Sequence, residues 1–391
     1  MDSILKNNID NYITKELDFN IMQSQPIKRL QDIKFIESST LGGMCPVHMD
    51  RNGVFYGGTN SGNIVKTTDF ISYETINTGI DSATCGVTRK CGITTTRTGR
   101  IIVGTVGGYV FVSDENGQNF TQAFKFPKGN WRSCGNYCQH ENIIGISEYA
   151  VKAVACEAYI SLDFGATWTK VFDYTKMLRF SEAEALSTNC HCHGMMYDPY
   201  DSRIWLTTGD GSMHNIYYSD DFGQTWVAIA DGEKNLQDMS ALQMVPYQNG
   251  ILFYYMADYN AWLPRKANEF RQPVEKYVFY NPQKYNIPHS GQHIKTKLAI
   301  QAYPRGCNGI MVREYDFLDT DIIATNSESC MLASRNGINW YEIYRHPVTM
   351  PIDYGFQSHP LGPIPNSQDN RIYCYLWDTT GDKIMSAVLP K

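Results

Sequence analysis

The sequence predicts an all-β protein built from a repeated unit of four short strands. Three observations support this prediction: a composition rich in strand and turn residues, a short motif that recurs along the chain, and short apolar segments on both sides of its two best copies. Aromatic residues make up 13% of the chain, including 26 Tyr, and there are 31 Gly but only 19% charged residues. Aromatic side chains favour strands and Gly favours tight turns, so this balance is typical of a turn-rich β-protein.

The charge balance and the lengths of the apolar segments argue against several classes of function. The 34 Lys and Arg residues against 40 Asp and Glu residues give a net charge of −6. This value argues against a broad nucleic-acid surface, although it leaves room for one basic pocket. No apolar segment approaches the roughly 20 residues of a membrane helix, so no membrane partner is expected.

The cysteines and the N-terminal residues indicate a reducing compartment. Residues 1–8 lack the charged-then-apolar pattern of a signal peptide. The 11 cysteines are odd in number and scattered between Cys45 and Cys374, whereas a secreted disulfide scaffold is usually shorter and even in count. We therefore expect mostly reduced thiols and a cytoplasmic location. A viral protein made in a host cytosol and attached to the virion has the same features.

A recurring eight-residue motif defines the repeat. Residues 161–168 are Ser-Leu-Asp-Phe-Gly-Ala-Thr-Trp, and residues 219–226 are Ser-Asp-Asp-Phe-Gly-Gln-Thr-Trp, 58 residues later. Weaker copies lie at residues 113–120, where Glu115 aligns with Asp163, at 333–340 and at 67–70. An Asp carboxylate accepts backbone N–H bonds across a bend, Gly adopts positive φ, and the aromatic residue packs on the sheet. We therefore predict that each copy is a hairpin turn between two strands.

These residues resemble the Asp-box, or BNR repeat, of the sialidase-like β-propellers, whose pattern is Ser-x-Asp-x-Gly-x-Thr-Trp. The resemblance implies a propeller in which each box joins the third and fourth strands of a blade. In that family the box is a structural element on the face away from the usual active site. It therefore implies structural roles for Asp163, Asp221, Trp168 and Trp226, and it does not specify the chemistry.

The chain divides into seven predicted blades of four antiparallel strands. The blades span about 43–80, 85–127, 132–175, 189–232, 238–282, 305–346 and 354–390. The predicted second strands include 54–58, 101–104, 204–207, 251–255 and 322–325. Ile33–Glu37 is expected to supply the missing outer strand of the last blade and close the ring, because closure removes exposed sheet edges. We predict one propeller domain at 31–391 after an extension at 1–30; six blades is the alternative, if the fifth unit is an insertion.

The same layout predicts which face binds a ligand. The loops that enter each blade and the loops between second and third strands share the face opposite the Asp-boxes, and ligands of propellers sit at a channel mouth. The candidate catalytic residues on these loops are His191, His193, Tyr137, Glu148 and Asp210. The candidate ligand-binding residues are Arg132, Arg305, His214, Tyr149, Lys152, Trp262, Tyr259 and His359.

These residue types are suited to an anionic ligand. Arg pairs with carboxylate or phosphate, and Tyr and Trp stack on sugar or base faces. His191 or His193 is a candidate general base, Tyr137 or Tyr149 a general acid, and Glu148 a carboxylate catalyst. The competing interpretation is structural, because inner strands of propellers often bury hydrogen-bonded His. Cys190 and Cys192 alternate with the two His along one strand and face the other side, so we predict no metal and no cofactor.

The resemblance implies action on glycans. Sialidases of this family hold a sugar carboxylate with three Arg, whereas related polysaccharide lyases abstract a proton with His and Tyr. The early Arg-Ile-Pro motif of sialidases is absent here, and the His-rich mouth fits a lyase better. We therefore predict a glycoside hydrolase or polysaccharide lyase for an anionic saccharide. The alternative is a non-catalytic propeller, such as a viral protein, that binds a host glycan or captures or degrades a small anionic ligand such as a nucleotide.

Overall fold

A computed structural model describes twenty-eight strands and the turns that join many of them. The described residues are 28–29, 36–38, 45–50, 52–59, 61–81, 86, 92–131, 136–150, 156–176, 190–209, 215–228, 241–247, 250–255, 260–264, 278–280, 323–326, 330–334, 340–345, 357–361, 371–378 and 381–388. Side chains are described between residues 48 and 228 of these ranges, and at Met244, Tyr373 and residues 384–388. The described strands pair into seven four-stranded sheets.

The first three sheets follow one another along the chain, after two short strands, β1 (Lys28–Arg29) and β2 (Ile36–Ser38). Sheet one contains β3 (Cys45–Met49), β4 (Phe55–Gly58), β5 (Ile64–Thr67) and β6 (Glu74–Ile76). Sheet two contains β7 (Ile93–Thr95), β8 (Ile101–Gly104), β9 (Tyr109–Val112) and β10 (Thr121–Lys125). Sheet three contains β11 (Tyr137–His140), β12 (Ile143–Ser147), β13 (Ala158–Ser161) and β14 (Thr169–Phe172). A 3-10 turn at Tyr174–Lys176 follows it.

The remaining sheets continue the same plan. Sheet four contains β15 (His191–Asp198), β16 (Arg203–Gly209), β17 (Asn215–Ser219) and β18 (Val227–Ala228). Sheet five contains β19 (Ala241–Tyr247), β20 (Gly250–Tyr255), β21 (Asn260–Pro264) and β22 (Val278–Tyr280). Sheet six contains β23 (Ile323–Asn326), β24 (Cys330–Ser334) and β25 (Trp340–Arg345) with β1, and sheet seven contains β26 (Gln357–Leu361), β27 (Arg371–Asp378) and β28 (Gly381–Val388) with β2.

Neighbouring sheets meet through their first strands. Strand β3 lies against β7, β11 against β15, β15 against β19, β23 against β26, and β26 against β3. The last of these contacts brings the seventh sheet back to the first. The predicted second strands of sheets one, two, four and five agree with β4, β8, β16 and β20. The predicted second strand at 322–325 overlaps β23, which forms one edge of sheet six. In the described sheet β23 is therefore the first strand and not the second, and residues 305–320, where the first strand of this blade was predicted, lie outside the described residues.

Two strands near the N-terminus pair with late strands. Ile36–Ser38 pairs antiparallel with β28, with Ile36 opposite Ser386. The prediction named Ile33–Glu37, of which residues 33–35 lie outside the described residues. Lys28–Arg29, which falls in the predicted extension, pairs parallel with Tyr341 and Glu342 of β25. Residues 28–29 therefore pair with sheet six, and residues 36–38 pair with sheet seven.

The two best motif copies form the predicted turns between third and fourth strands. The Asp163 carboxylate accepts the Thr167 backbone N–H at 2.8 Å and its hydroxyl at 2.6 Å, and the Ser161 hydroxyl donates to the same carboxylate at 2.7 Å. The second copy repeats these bonds with Asp221, at 2.8, 2.6 and 2.8 Å. The glycine of each copy has a φ above +80°, which explains why Gly occupies that position.

The weaker copy at residues 113–120 departs from the alignment. Between β9 and β10 the carboxylate that accepts the turn N–H groups belongs to Asp114, which bonds Asn116 and Gln118 at 2.9 Å each. Glu115, which the sequence aligns with Asp163, instead pairs with Arg100 at 3.2 Å. The turn carboxylate was therefore assigned to the wrong residue in this copy, although Gly117 keeps the positive φ of the aligned Gly165. Residues 335–339 of the copy in sheet six lie outside the described residues.

Candidate functional site

The structure describes the side chains of five predicted site residues: His191, His193, Tyr137, Glu148 and Tyr149. Trp262 and His359 lie in β21 and β26, but their side chains are outside the description. The other candidates lie outside the described residues: Asp210, Arg132, Arg305, His214, Lys152 and Tyr259. Whether His191, His193, Asp210 and Arg132 share one cavity therefore stays a prediction.

The two histidines contact each other at the start of β15. Their Nε2 atoms are 2.9 Å apart, so one ring donates a hydrogen bond to the other. A bulge in the pairing of β15 with β16 lies between Cys192 and Gly194, at the position of His193. The edge of the Tyr149 ring meets His191 with centroids 4.4 Å apart. The histidines are only 2% and 4% exposed, so these rings are packed between sheets three and four.

Glu148 lies directly after β12, and its side chain is completely buried. One carboxylate oxygen accepts the backbone N–H groups of Lys128 and Gly129 at 2.8 and 2.5 Å. The other accepts the Glu157 N–H at 3.3 Å. Burial raises the pKa of this carboxyl, and the three N–H bonds lower it only in part. The carboxylate thus holds the connector between sheets two and three against sheet three.

Tyr137 belongs to an aromatic core rather than to an open surface. Its side chain is 7% exposed, and its ring lies 5.6 Å from that of Trp131, which is itself buried. Gly92 and Gly104 make room for this indole: a Cβ added to Gly92 would lie 2.3 Å from the Trp131 ring. Ile144 packs in the same cluster. The backbone around Tyr137 therefore depends on close packing between sheets two and three.

Buried polar side chains join the first strands of sheets one to three, and the sequence analysis did not identify them as a network. His48 bonds the Thr95 hydroxyl at 2.9 Å, and the Thr94 hydroxyl donates to the Gln139 side-chain oxygen at 2.7 Å. The Gln139 amide donates to the Thr95 carbonyl at 2.7 Å. All four residues are at most 7% exposed. A signal was present, since His48, Thr94 and Gln139 are each the next-to-last residue of a first strand.

Sheet three is joined to sheet four in a similar way. The Asn136 amide donates to the Cys192 carbonyl at 2.7 Å, and the Cys192 N–H donates to the Glu148 carbonyl at 3.1 Å. Both side chains, Asn136 and Cys192, are nearly inaccessible to solvent. The polar groups in this part of the interior therefore connect sheets to one another.

Two further properties concern the described residues as a whole. No group of three or more His, Cys, Asp or Glu side chains among them is arranged to hold a metal ion. Within the described parts of the chain, no helix has the length and hydropathy that crossing a bilayer requires.

Comparisons with known proteins identify the fold. No protein-family model and no curated protein matches the sequence. Solved structures do match: YCF48 bound to a D1 peptide aligns over 93% of this chain and 98% of its own, with a TM-score of 0.53 and 12% identity. YCF48 from Cyanidioschyzon merolae gives the same score and identity over 91% and 99%. The β-propeller domain of Cps50 (Swd1) from Myceliophteria thermophila covers 92% and 99%, with a TM-score of 0.51 and 9% identity.

The fold is a β-propeller. The described sheets of this propeller are four-stranded, and the candidate residues whose side chains are described lie in or directly after strands of sheets three and four. At 9–12% identity the similarity extends to the fold alone. The chemistry of this propeller must therefore be argued from its own residues.

Proposed function

We propose that this propeller is a non-catalytic binding protein. The observation that supports the proposal is the state of the described candidate catalytic residues. His191, His193, Tyr137 and Glu148 are all at most 7% exposed. A general acid, base or nucleophile has to come within hydrogen-bond distance of a bound substrate. Side chains this deeply packed serve the contacts between sheets.

Glu148 carries most of this argument. Retaining and inverting glycosidases use two carboxyl groups that flank the scissile bond. The Glu148 oxygens are instead directed at backbone N–H groups of Lys128, Gly129 and Glu157. The neighbouring Glu157 carboxylate accepts bonds from the Tyr159 hydroxyl at 2.9 Å and from Lys170 at 3.2 Å. Both carboxylates are thus engaged in holding sheet three together.

The ligand class that we propose is an anionic saccharide or another small anion such as a nucleotide. The basic residues Arg132, Lys152 and Arg305 on the predicted mouth loops support this choice, together with the half-buried Tyr149. The binding face is the one opposite the Asp-box turns. YCF48, which has a similar fold, is known bound to a D1 peptide, so acidic peptides are included among the ligands to be tested.

The test incubates the protein with a mixed panel of acidic oligosaccharides, nucleotides and acidic peptides and follows free ligand by mass spectrometry. We expect one ligand to leave the free pool and to return unchanged when the protein is denatured. Arg132→Ala should release it, whereas Arg97→Ala is the matched control, because Arg97 pairs with Glu141 on the Asp-box side of the sheets. A ligand converted to a new mass by the wild type, but not by the double variant His191→Ala and His193→Ala, would overturn the proposal.

The finer architecture is part of the same proposal. We propose a ring of seven blades, closed where β2 pairs with β28, and kinship with the sialidase-like Asp-box proteins. Seven described sheets and the contact of β26 with β3 support the ring. The matching hydrogen bonds around Asp163 and Asp221 support the kinship. We also propose a cytoplasmic or virion-associated location, which immunoblots of fractionated cells and purified virions would test.

A further inference from the structure

Two imidazole rings share a hydrogen bond inside the interface between sheets three and four. The Nε2 atoms of His191 and His193 are 2.9 Å apart, and the ring centroids are 4.7 Å apart. Both side chains are at most 4% exposed. The function proposed above gives this buried pair no chemical role, although imidazole is the side-chain group whose charge changes most readily near neutral pH.

We propose that this histidine pair is an acid-sensitive switch in the interface between sheets three and four, which stays closed only while the pair carries at most one extra proton. This inference is independent of the proposed ligand. A hydrogen bond between two Nε2 atoms needs one atom with a proton and one without. Protonating both rings puts an N–H on each side of the same 2.9 Å gap, and the two charges repel strongly where water is excluded. Acid therefore has to separate the rings.

The backbone bonds beside the pair show what such a separation disturbs. Cys192, the residue between the two histidines, donates its N–H to the Glu148 carbonyl at 3.1 Å, and its own carbonyl accepts the Asn136 amide at 2.7 Å. The ring of Tyr149, which follows Glu148, meets His191 edge-on with centroids 4.4 Å apart. All of these contacts cross from sheet three to sheet four. Movement of either ring therefore loosens the bonds that hold the two sheets together.

The other titratable groups around the pair lie on β15 and on the strands packed against it, which are β11, β12, β16 and β19. The Glu148 carboxylate, directly after β12, accepts the N–H groups of Lys128 and Gly129. Arg203 of β16 lies opposite the far end of β15 and bonds Asp220 at 2.6 Å. The remaining groups among the described residues are Tyr137, Cys138 and His140 on β11, Tyr149 after Glu148, Cys190, Cys192, Tyr197 and Asp198 on or beside β15, and Tyr247 on β19. A variant that changes only the pair keeps all of these groups, so their titration cancels in a comparison with the wild type.

The number of protons sets the size of the effect. In the unfolded chain both imidazoles titrate near a pKa of about 6.5, so in acid they bind two protons. The folded pair binds at most one. Because the unfolded chain then holds at least one proton more, the ratio of folded to unfolded protein falls at least about tenfold for each pH unit below roughly 5.5. The loss begins as pH falls through about 6.5 and is absent above it.

The test compares denaturant unfolding of the full wild-type chain with that of the double variant His191→Gln and His193→Gln, from about pH 7.5 to about pH 4.5. Gln carries an N–H donor and a carbonyl acceptor, so two Gln can replace the hydrogen bond without titrating. The two stability profiles should run parallel above about pH 6.5 and diverge by at least about tenfold per unit below roughly pH 5.5. His140→Gln is the matched control, because His140 stacks on Tyr197 with centroids 5.3 Å apart and leaves the pair intact. It should keep at least the tenfold loss per unit.

Ring-nitrogen NMR of the wild type reads the pair directly and needs no variant that folds. In protein with isotope-labelled histidine, the bond between the two Nε2 atoms gives a coupling that identifies the pair at neutral pH. As the pH falls, the folded protein should keep one unprotonated Nε2 in that pair until it unfolds. Two protonated rings in the folded protein would overturn the proposal. Stability profiles of the wild type and the double variant that stay parallel through the acid range would also overturn it.

Discussion

Removing the Glu148 carboxylate tests directly whether this side chain supports the fold or performs chemistry. Glu148→Ala leaves the N–H groups of Lys128 and Gly129 without their acceptor, at bonds of 2.8 and 2.5 Å. A buried donor left unsatisfied costs roughly 1–3 kcal/mol, so two of them give a loss of about 4 kcal/mol in the free energy of unfolding. That loss lowers the ratio of folded to unfolded protein by about a thousandfold.

The isosteric variant Glu148→Gln adds a pH dependence. The native pKa of this carboxyl is raised, so the folded state holds the proton more tightly than the unfolded chain. The contribution of Glu148 to stability is therefore complete below its usual pKa and falls as pH rises through the raised native value. Gln does not titrate, so the stability deficit of the Gln variant should be largest in acid and should shrink toward neutral pH.

Denaturant unfolding at several pH values, followed by tryptophan fluorescence, measures both effects. Glu157→Gln is the control, since the Glu157 carboxylate forms a partly exposed ion pair with Lys170 whose loss costs less than about 1 kcal/mol. The structural interpretation fails if Glu148→Ala keeps wild-type stability but loses ligand turnover. It also fails if the Gln deficit grows as the pH rises.

The turns and glycines give three further tests. Each indole donates to the glycine carbonyl of its own turn, and the Trp226 indole also donates to the Val171 carbonyl of sheet three. Trp226→Phe should therefore lower the free energy of unfolding by about 2 kcal/mol and Trp168→Phe by about 1 kcal/mol, as measured with denaturant. Equal losses would contradict this reasoning. Partial burial raises the pKa of Asp221, but its hydrogen bonds outweigh that effect and hold the pKa below the usual carboxyl value. The stabilising effect of Asp221 should therefore be present above the usual carboxyl pKa and disappear as pH falls through the lowered pKa. NMR titration of the wild type beside Asp221→Asn measures this. Gly129→Ala should lower the free energy of unfolding by about 3 kcal/mol, because the added Cβ would lie 2.4 Å from a backbone oxygen. Gly79→Ala meets no atom within 4 Å, so it should lose only about 1 kcal/mol, from its φ of +64°. Thermal unfolding measures both losses.

The repeat could be predicted from sequence because its chemistry is local. Asp163 and Asp221 accept bonds from residues four positions away, so a match of eight letters contains the whole turn. The same locality explains why the carboxylate of the 113–120 copy was assigned to the wrong residue. Asp114 and Glu115 are adjacent carboxylates, and only the backbone bonds distinguish which one occupies the turn.

The candidate site could be predicted only in part because its contacts are long-range. Alternation along β15 correctly predicted that His191 and His193 share a side, but a period of two specifies a face and not its neighbours. The donors to Glu148 lie about twenty residues earlier, in a connector with no recognisable motif. The sequence alone does not distinguish a carboxylate that is bound by backbone N–H groups from one that faces a substrate.

The pairing of Ile36–Ser38 with Gly381–Val388 has a consequence for biosynthesis. At about 5–20 residues per second, the ribosome needs roughly 17–70 s to make the residues between these strands. Ile36–Ser38 therefore emerges long before its partner exists, and its backbone groups stay available to other chains during that time. Chaperone binding to the nascent chain should consequently concentrate on this early segment and should end once residue 388 has left the ribosomal tunnel.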